Sequence, residues 1–160
     1  MGGFGDEDLS RDAFLGGKVM LQQPRNGYRA GVDPVLLAAA VPAKPGQTVL
    51  ELGCGAGQAF LCLAARVSGL QCTGVELQAA YAELARRNAA ENQAAAEVIE
   101  ADLSDLPADL RQRQFDHVIA NPPYYRAGAH VQARDSGRRT ALGEETPLEA
   151  WIAAAAKRLK

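Results

Sequence analysis

From residue 33 onward, apolar residues fall into short dense runs that alternate with longer stretches at helical spacing. Thr48–Leu52 (TVLEL) is a β-rich run bounded by glycine, as expected for a buried strand. Gln71–Glu76 (QCTGVE), residues 97–101 and residues 115–120 (FDHVIA) read as three further strands. Between them, residues 59–67 and 78–92 carry apolar side chains at helical spacing, with Leu77, Tyr81 and Leu84 on one stripe of the second. Asp33-Pro34 opens an earlier helix reaching Ala40, since Asp suits an N-cap and Pro a first helical turn; Pro42 and Pro45-Gly46 end it. Residues 147–159 form a last, alanine-rich helix whose bulky apolar residues are Trp151 and Ile152. Strands alternating with helices predict an α/β domain, a doubly wound and mainly parallel sheet with helices on both faces.

The remaining segments give weaker patterns. Residues 1–20, rich in glycine and acid, read as a flexible arm, leaving residues 21–160 as one domain. Residues 128–146 show no periodicity, and loops of that length are usually functional or mobile. The chain stops at the end of a helix after four strands, so the domain is expected to be truncated before a fifth. Residues 115–120 would then form an open edge without guarding lysines or prolines, and self-association is expected there.

Composition narrows the class. The 160 residues are 48% apolar and 22% charged, ordinary for a globular domain with its own core. No run approaches the roughly 20 apolar residues that span a bilayer. The acidic start, with Asp6, Glu7 and Asp8, does not resemble a secretory signal. Three cysteines, Cys54, Cys62 and Cys72, lack CxxC spacing, so neither a disulfide framework nor a metal site is expected, and the cytoplasm is the expected compartment. The net charge of −2 hides a basic stretch, where Arg126, Arg134, Arg138 and Arg139 face only Asp135. Such a cluster suits phosphate, while a solvated loop would look the same by charge alone.

Two segments carry chemistry. In Glu51-Leu52-Gly53-Cys54-Gly55-Ala56-Gly57, three alternating glycines follow a strand and precede a helix, letting backbone approach a ligand and opening a helix N-terminus toward it. The dinucleotide fingerprint needs glycine at 58, where this chain has Gln58. Glu51 would repel a pyrophosphate but suits the aminoacyl end of a cationic sulfonium nucleotide. Glu76, at the end of the next strand, can accept both ribose hydroxyls, with Leu77 beside it. Asp102 after the third strand can take an adenine amine, with Leu103 lining the ring.

The second segment, Asn121-Pro122-Pro123-Tyr124, follows the fourth strand. Its prolines fix the backbone and remove donors, leaving the Pro122 carbonyl to accept; the Asn121 side-chain oxygen is a second acceptor. Together they can hold both hydrogens of an –NH₂ group, with Tyr124 as a stacking face for a planar base or amide.

These segments resemble the class I, Rossmann-like S-adenosylmethionine-dependent methyltransferases of the small-domain type that modify exocyclic amines. Phe14-Leu15-Gly16-Gly17-Lys18, Gln23-Pro24, Gly27-Tyr28-Arg29 and Asp33-Pro34-Val35-Leu36-Leu37 are similar to the N-terminal region of bacterial adenine-N6 methyltransferases acting on the valine tRNA anticodon loop. The resemblance covers about residues 14–160. It implies S-adenosyl-L-methionine as cofactor, held by Tyr28, Arg29, Asp33, Glu51, Gly53, Gly55, Gly57, Glu76, Leu77, Asp102, Leu103 and Asn121. It also implies Asn121, Pro122 and Tyr124 as catalytic residues. Pro123, Tyr124, Arg126, Arg138 and Arg139 would contact an RNA substrate, expected to be a tRNA. The Asn-Pro-Pro-Tyr segment alone is equally compatible with a protein-glutamine methyltransferase, and the missing sheet portion with a non-catalytic cofactor-binding module.

Overall fold

The computed structural model describes residues 3–123 and 146–160. Its main sheet has four parallel strands: β3 (Thr48–Leu52), β4 (Gln71–Glu76), β5 (Ala96–Glu100) and β6 (His117–Ala120), in the order β5-β4-β3-β6. The chain therefore winds outward from β3 through β4 to β5, then returns to the other side of β3. Strand order reverses between β3 and β6, and the crevice at their carboxyl ends is where open α/β sheets bind ligands.

The period-2 pattern of each strand feeds two cores. On β3, Val49 faces a cluster with Phe60, Leu61 and Leu63 of α2 (Gln58–Arg66) and Ala82 and Ala85 of α3 (Ala79–Glu91). Leu50 and Leu52 face the other, with Leu106, Phe115 and Leu110 of the short α4 (Ala108–Arg111), backed by Trp151 and Ala155 of α5 (Leu148–Arg158). The doubly wound α/β reading thus holds, with most element ends within a residue or two of those expected.

Several expectations need correction. The segment before residue 21, read as a loose arm, contains an antiparallel hairpin of β1 (Leu9–Phe14) and β2 (Val19–Pro24). Two asparagines one turn apart, Asn88 on α3 and Asn92 capping its end, fasten it. The Asn92 amide exchanges hydrogen bonds with the backbone of Met20 (2.9 and 2.6 Å), and the fully buried Asn88 amide does so with Gln22 (2.8 and 3.0 Å). Side-chain amides thus satisfy one edge of β2 as another strand would. Asp33 is the first residue of α1 (Asp33–Ala40) and not its cap: the Val32 carbonyl accepts from Val35 and Leu36. Leu77 leaves the predicted stripe and stands 46% exposed, while Tyr81 and Leu84 are buried with Leu9 and Ala56.

At the sheet edge, Phe115 lies outside β6 and pairs in parallel with the chain after α5. It donates to the Arg158 carbonyl at 2.7 Å and accepts from Lys160 N–H at 3.0 Å. The start of that edge is therefore already covered by the chain after α5.

Candidate functional site

A pocket of about 350 Å³ opens at the carboxyl ends of the strands, within the range of small-ligand sites. It is lined by Glu51, Gly53 and Gly55 from the end of β3, Glu76 and Leu77 from β4, Asp102 and Leu103 after β5, and Asn121, Pro122 and Pro123 after β6. Tyr28 and Arg29 from the segment joining β2 to α1, with Asp33 at the start of α1, close it. These residues, from five separate places in the sequence, thus meet in one cavity. Gly57 is not among the lining residues; at φ +93° it caps α2 and packs against the Phe60 ring, where a Cβ would lie 2.7 Å from Cζ. Its role is to turn the chain into the helix. Tyr124, Arg126, Arg138 and Arg139 lie outside the described residues.

The acids differ in their surroundings. Glu51 projects from β3 toward α2 and is 3% exposed; its Oε2 accepts the Phe60 N–H at 3.0 Å in the first helical turn. Burial pushes its carboxyl up to about 8, against the Phe60 hydrogen bond and with help from the nearby Glu76. Glu76 accepts Gly55 N–H with one oxygen and Gln78 N–H with the other, both at 2.9 Å. It fastens the glycine turn to the end of β4, and each oxygen retains a second lone pair. Burial raises its pKa too, opposed by those backbone hydrogen bonds. Asp102 is exposed and accepts from Ser104 N–H at 2.7 Å.

The closing segment is held from behind by the hairpin. Arg29 donates to Ser10 Oγ (2.7 Å), the Pro24 carbonyl (3.0 Å) and Asp12 Oδ2 (2.7 Å). Its guanidinium is thus engaged with β1 and β2 while the residue lines the pocket. Tyr28 N–H donates to Tyr81 Oη at 2.9 Å, and Asn88 also donates to the Ala56 carbonyl at 2.9 Å. Hairpin, α3 and glycine turn form one connected support.

Several pocket residues escaped the sequence reading: Gln58, Tyr81 and Trp151. Gln58 occupies the place of the third dinucleotide glycine, and its buried amide donates to Gln23 Oε1 at 3.4 Å. Trp151 reaches the pocket through the placement of α5, which no local pattern encodes. Among the described residues, no hydrogen bond engages the Asn121 amide, which leaves it available to the cavity. The three cysteines are buried, and burial raises the Cys62 and Cys72 thiols to about 11 and about 12, which disfavours the thiolate. Among the described residues, no group of three His, Cys, Asp or Glu could hold a metal ion, and no helix is long and apolar enough to cross a membrane.

A parallel sheet with its binding crevice at the strand reversal, an acid-flanked glycine turn and a following Asn-Pro-Pro segment together define a class I methyltransferase architecture. The chain belongs to the methyltransferase small domain family, whose model matches residues 30–136. It is 31% identical to a tRNA1(Val) (adenine(37)-N6)-methyltransferase of Porphyromonas gingivalis, over 94% of this chain and 62% of the relative. It is 37% identical to the enzyme of the same name from Yersinia pestis, over 73% of this chain and 47% of the relative. The chain thus spans about half to three-fifths of the length of these relatives. Among solved structures, it shares its fold with a methyltransferase from Thiobacillus denitrificans determined with S-adenosyl-L-homocysteine, at a TM-score of 0.56 and 21% identity. That match covers 82% of this chain and 45% of the other.

Proposed function

We propose that the chain binds S-adenosylmethionine in this pocket and belongs to an enzyme that methylates the N6 amine of an adenine in RNA, in a tRNA anticodon loop. The observation that carries the reading is the junction of the acid-flanked glycine turn with Asn121 and Pro122 in one cavity. The fit to the cofactor rests on the donor set. A buried carboxyl at Glu51 suits an aminoacyl cation, Glu76 and Asp102 are acceptors for ribose and adenine, and Leu77 and Leu103 supply apolar walls. Tyr28, Arg29 and Asp33 lie on the segment that closes the aminoacyl end, and Gly53 and Gly55 keep the turn bare.

When bound, S-adenosylmethionine supplies an electrophilic methyl group. The protein's part is positioning: Asn121 Oδ1 and the Pro122 carbonyl accept the two hydrogens of the amine and draw electron density toward its nitrogen as charge develops. Pro123 stiffens the segment, and Tyr124 stacks on the base. Arg126, Arg138 and Arg139 serve the RNA backbone, and an unpaired anticodon-loop base costs little to extrude. The names of the relatives support adenine in tRNA over a protein glutamine. A tRNA-modifying enzyme would work in the cytoplasm.

Calorimetry with S-adenosylhomocysteine and NAD side by side tests the cofactor, and mass spectrometry of tRNA from a deletion strain tests the product. Binding of the first ligand alone and loss of N6-methyladenosine are expected; tight NAD binding, or unchanged tRNA, would refute the respective half.

A specific observation also supports self-association of this chain. The groove beside β6 is lined by Leu37, Val41, Val118 and Leu159. We infer that a second copy covers this face. Light scattering should give a dimer or larger species, and a monodisperse monomer at tens of micromolar would exclude it.

A further inference from the structure

Trp151, in the first turns of α5, has no part in the chemistry described so far. The benzo end of its indole occupies the place of a side chain at position 53. A Cβ on Gly53 would lie 2.5 Å from Cη2 and 2.9 Å from Cζ3. Gly53 is therefore required twice, by its left-handed φ of +66° and by the ring lying against it.

The half-buried indole packs on the cluster of Leu50, Leu52 and Val75 and also lines the pocket. Its position is set by the sheet. Leu52 of β3 pairs with Ala120 of β6, so the next residues, Gly53 and Asn121, leave neighbouring strand ends side by side. The ring thus lies against the first residue of the glycine turn where the Asn121-Pro122 segment adjoins it. An indole anchored in a core, with one edge in a cavity, offers an apolar wall and a π face suited to a cation or a planar amine.

We propose that Trp151 is a ligand-contacting residue that forms the wall between the two halves of the site. It sets the distance at which the sulfonium end of the cofactor and the acceptor amine meet, and keeps water from the space between them. The assignment rests on S-adenosylmethionine being the ligand and adds to that reading a residue that fixes where donor and acceptor converge.

Trp151 is the chain's one tryptophan, so its emission reports on this wall without labelling. S-adenosylhomocysteine titrated into the whole chain should change that emission saturably, with the midpoint given by calorimetry. Trp151→Ala should weaken S-adenosylhomocysteine binding by no more than a few-fold, the scale of one lost wall contact. Its methyl transfer at saturating cofactor and RNA should fall on the order of ten- to a hundredfold, the scale of an ångström of misplacement. Trp151→Phe, which keeps an aromatic wall and guards against a folding defect, should restore most of that rate. Calorimetric binding without an emission change would place the ring outside the liganded site and overturn the proposal. So would equal losses of affinity and turnover in Trp151→Ala, or a Phe variant no better than Ala. Absence of calorimetric binding would instead overturn the cofactor reading, and this assignment with it.

Discussion

Asn121→Ala is expected to lower methyl transfer by a factor on the order of 10²–10³, the loss typical of one preorganised transition-state hydrogen bond. Cofactor affinity should hardly change. Asn121 lies at the carboxyl end of β6, beside the glycine turn, and its amide is not engaged by any described residue. Its oxygen is therefore ready to accept without first breaking a bond. The Pro122 carbonyl is the second acceptor, held by two consecutive prolines. Hydrogen bonds to an aromatic amine strengthen as its nitrogen gains positive charge, so their loss appears in turnover more than in binding. Single-turnover rates set beside calorimetric affinities for S-adenosylhomocysteine separate the two. Equal losses would make Asn121 a cofactor ligand and remove its catalytic role.

The parts of this site that were legible in the sequence are those governed by local rules. A β-rich run followed by alternating glycines specifies a strand, a turn and a helix start, and Thr48–Leu52 and α2 lie where that rule puts them. Glu51, Glu76, Asp102 and Asn121 were legible as pocket-lining positions because each lies at or near the carboxyl end of a strand, and parallel strands bring such positions to one edge. The β1–β2 hairpin was not legible. LSRDAF contains no β-branched residue, and the strands are held through Asn88 and Asn92 of a helix some seventy residues later. Strand formation of that kind is imposed by tertiary contact and leaves little local trace. Trp151 was hidden for the same reason: its helix can be read from spacing, but its contact with Gly53 arises only when α5 packs on the sheet. Gly57, read from the motif as a cofactor residue, caps α2 and does not line the pocket.

Cofactor binding by this chain is expected to release a proton, because Glu51 is mostly protonated near neutral pH in the free protein. Burial raises its carboxyl to about 8, and the neighbouring Glu76 adds to the shift. The sign for folding follows directly. Between the ordinary carboxyl value of 4.5 and about 8, the folded chain holds a proton that the unfolded chain has lost. Glu51 therefore makes stability fall as pH rises through that window, with a limiting slope of about 1.4 kcal/mol per pH unit, and the loss levels off above it. Binding reverses the preference, since a cationic aminoacyl group beside Glu51 favours the carboxylate. Affinity for S-adenosylhomocysteine should rise up to about tenfold per pH unit below the Glu51 pKa, and flatten above about 8, where Glu51 is already ionised in the free protein. Calorimetry at pH 6.5 in buffers of different ionisation enthalpy should record release of close to one proton. Glu51→Gln should abolish both the release and the slope, and should weaken binding more at pH 7.5 than at pH 6. Tight binding with no proton exchanged would confine Glu51 to holding the first turn of α2 through Phe60, with no part in the cofactor's recognition.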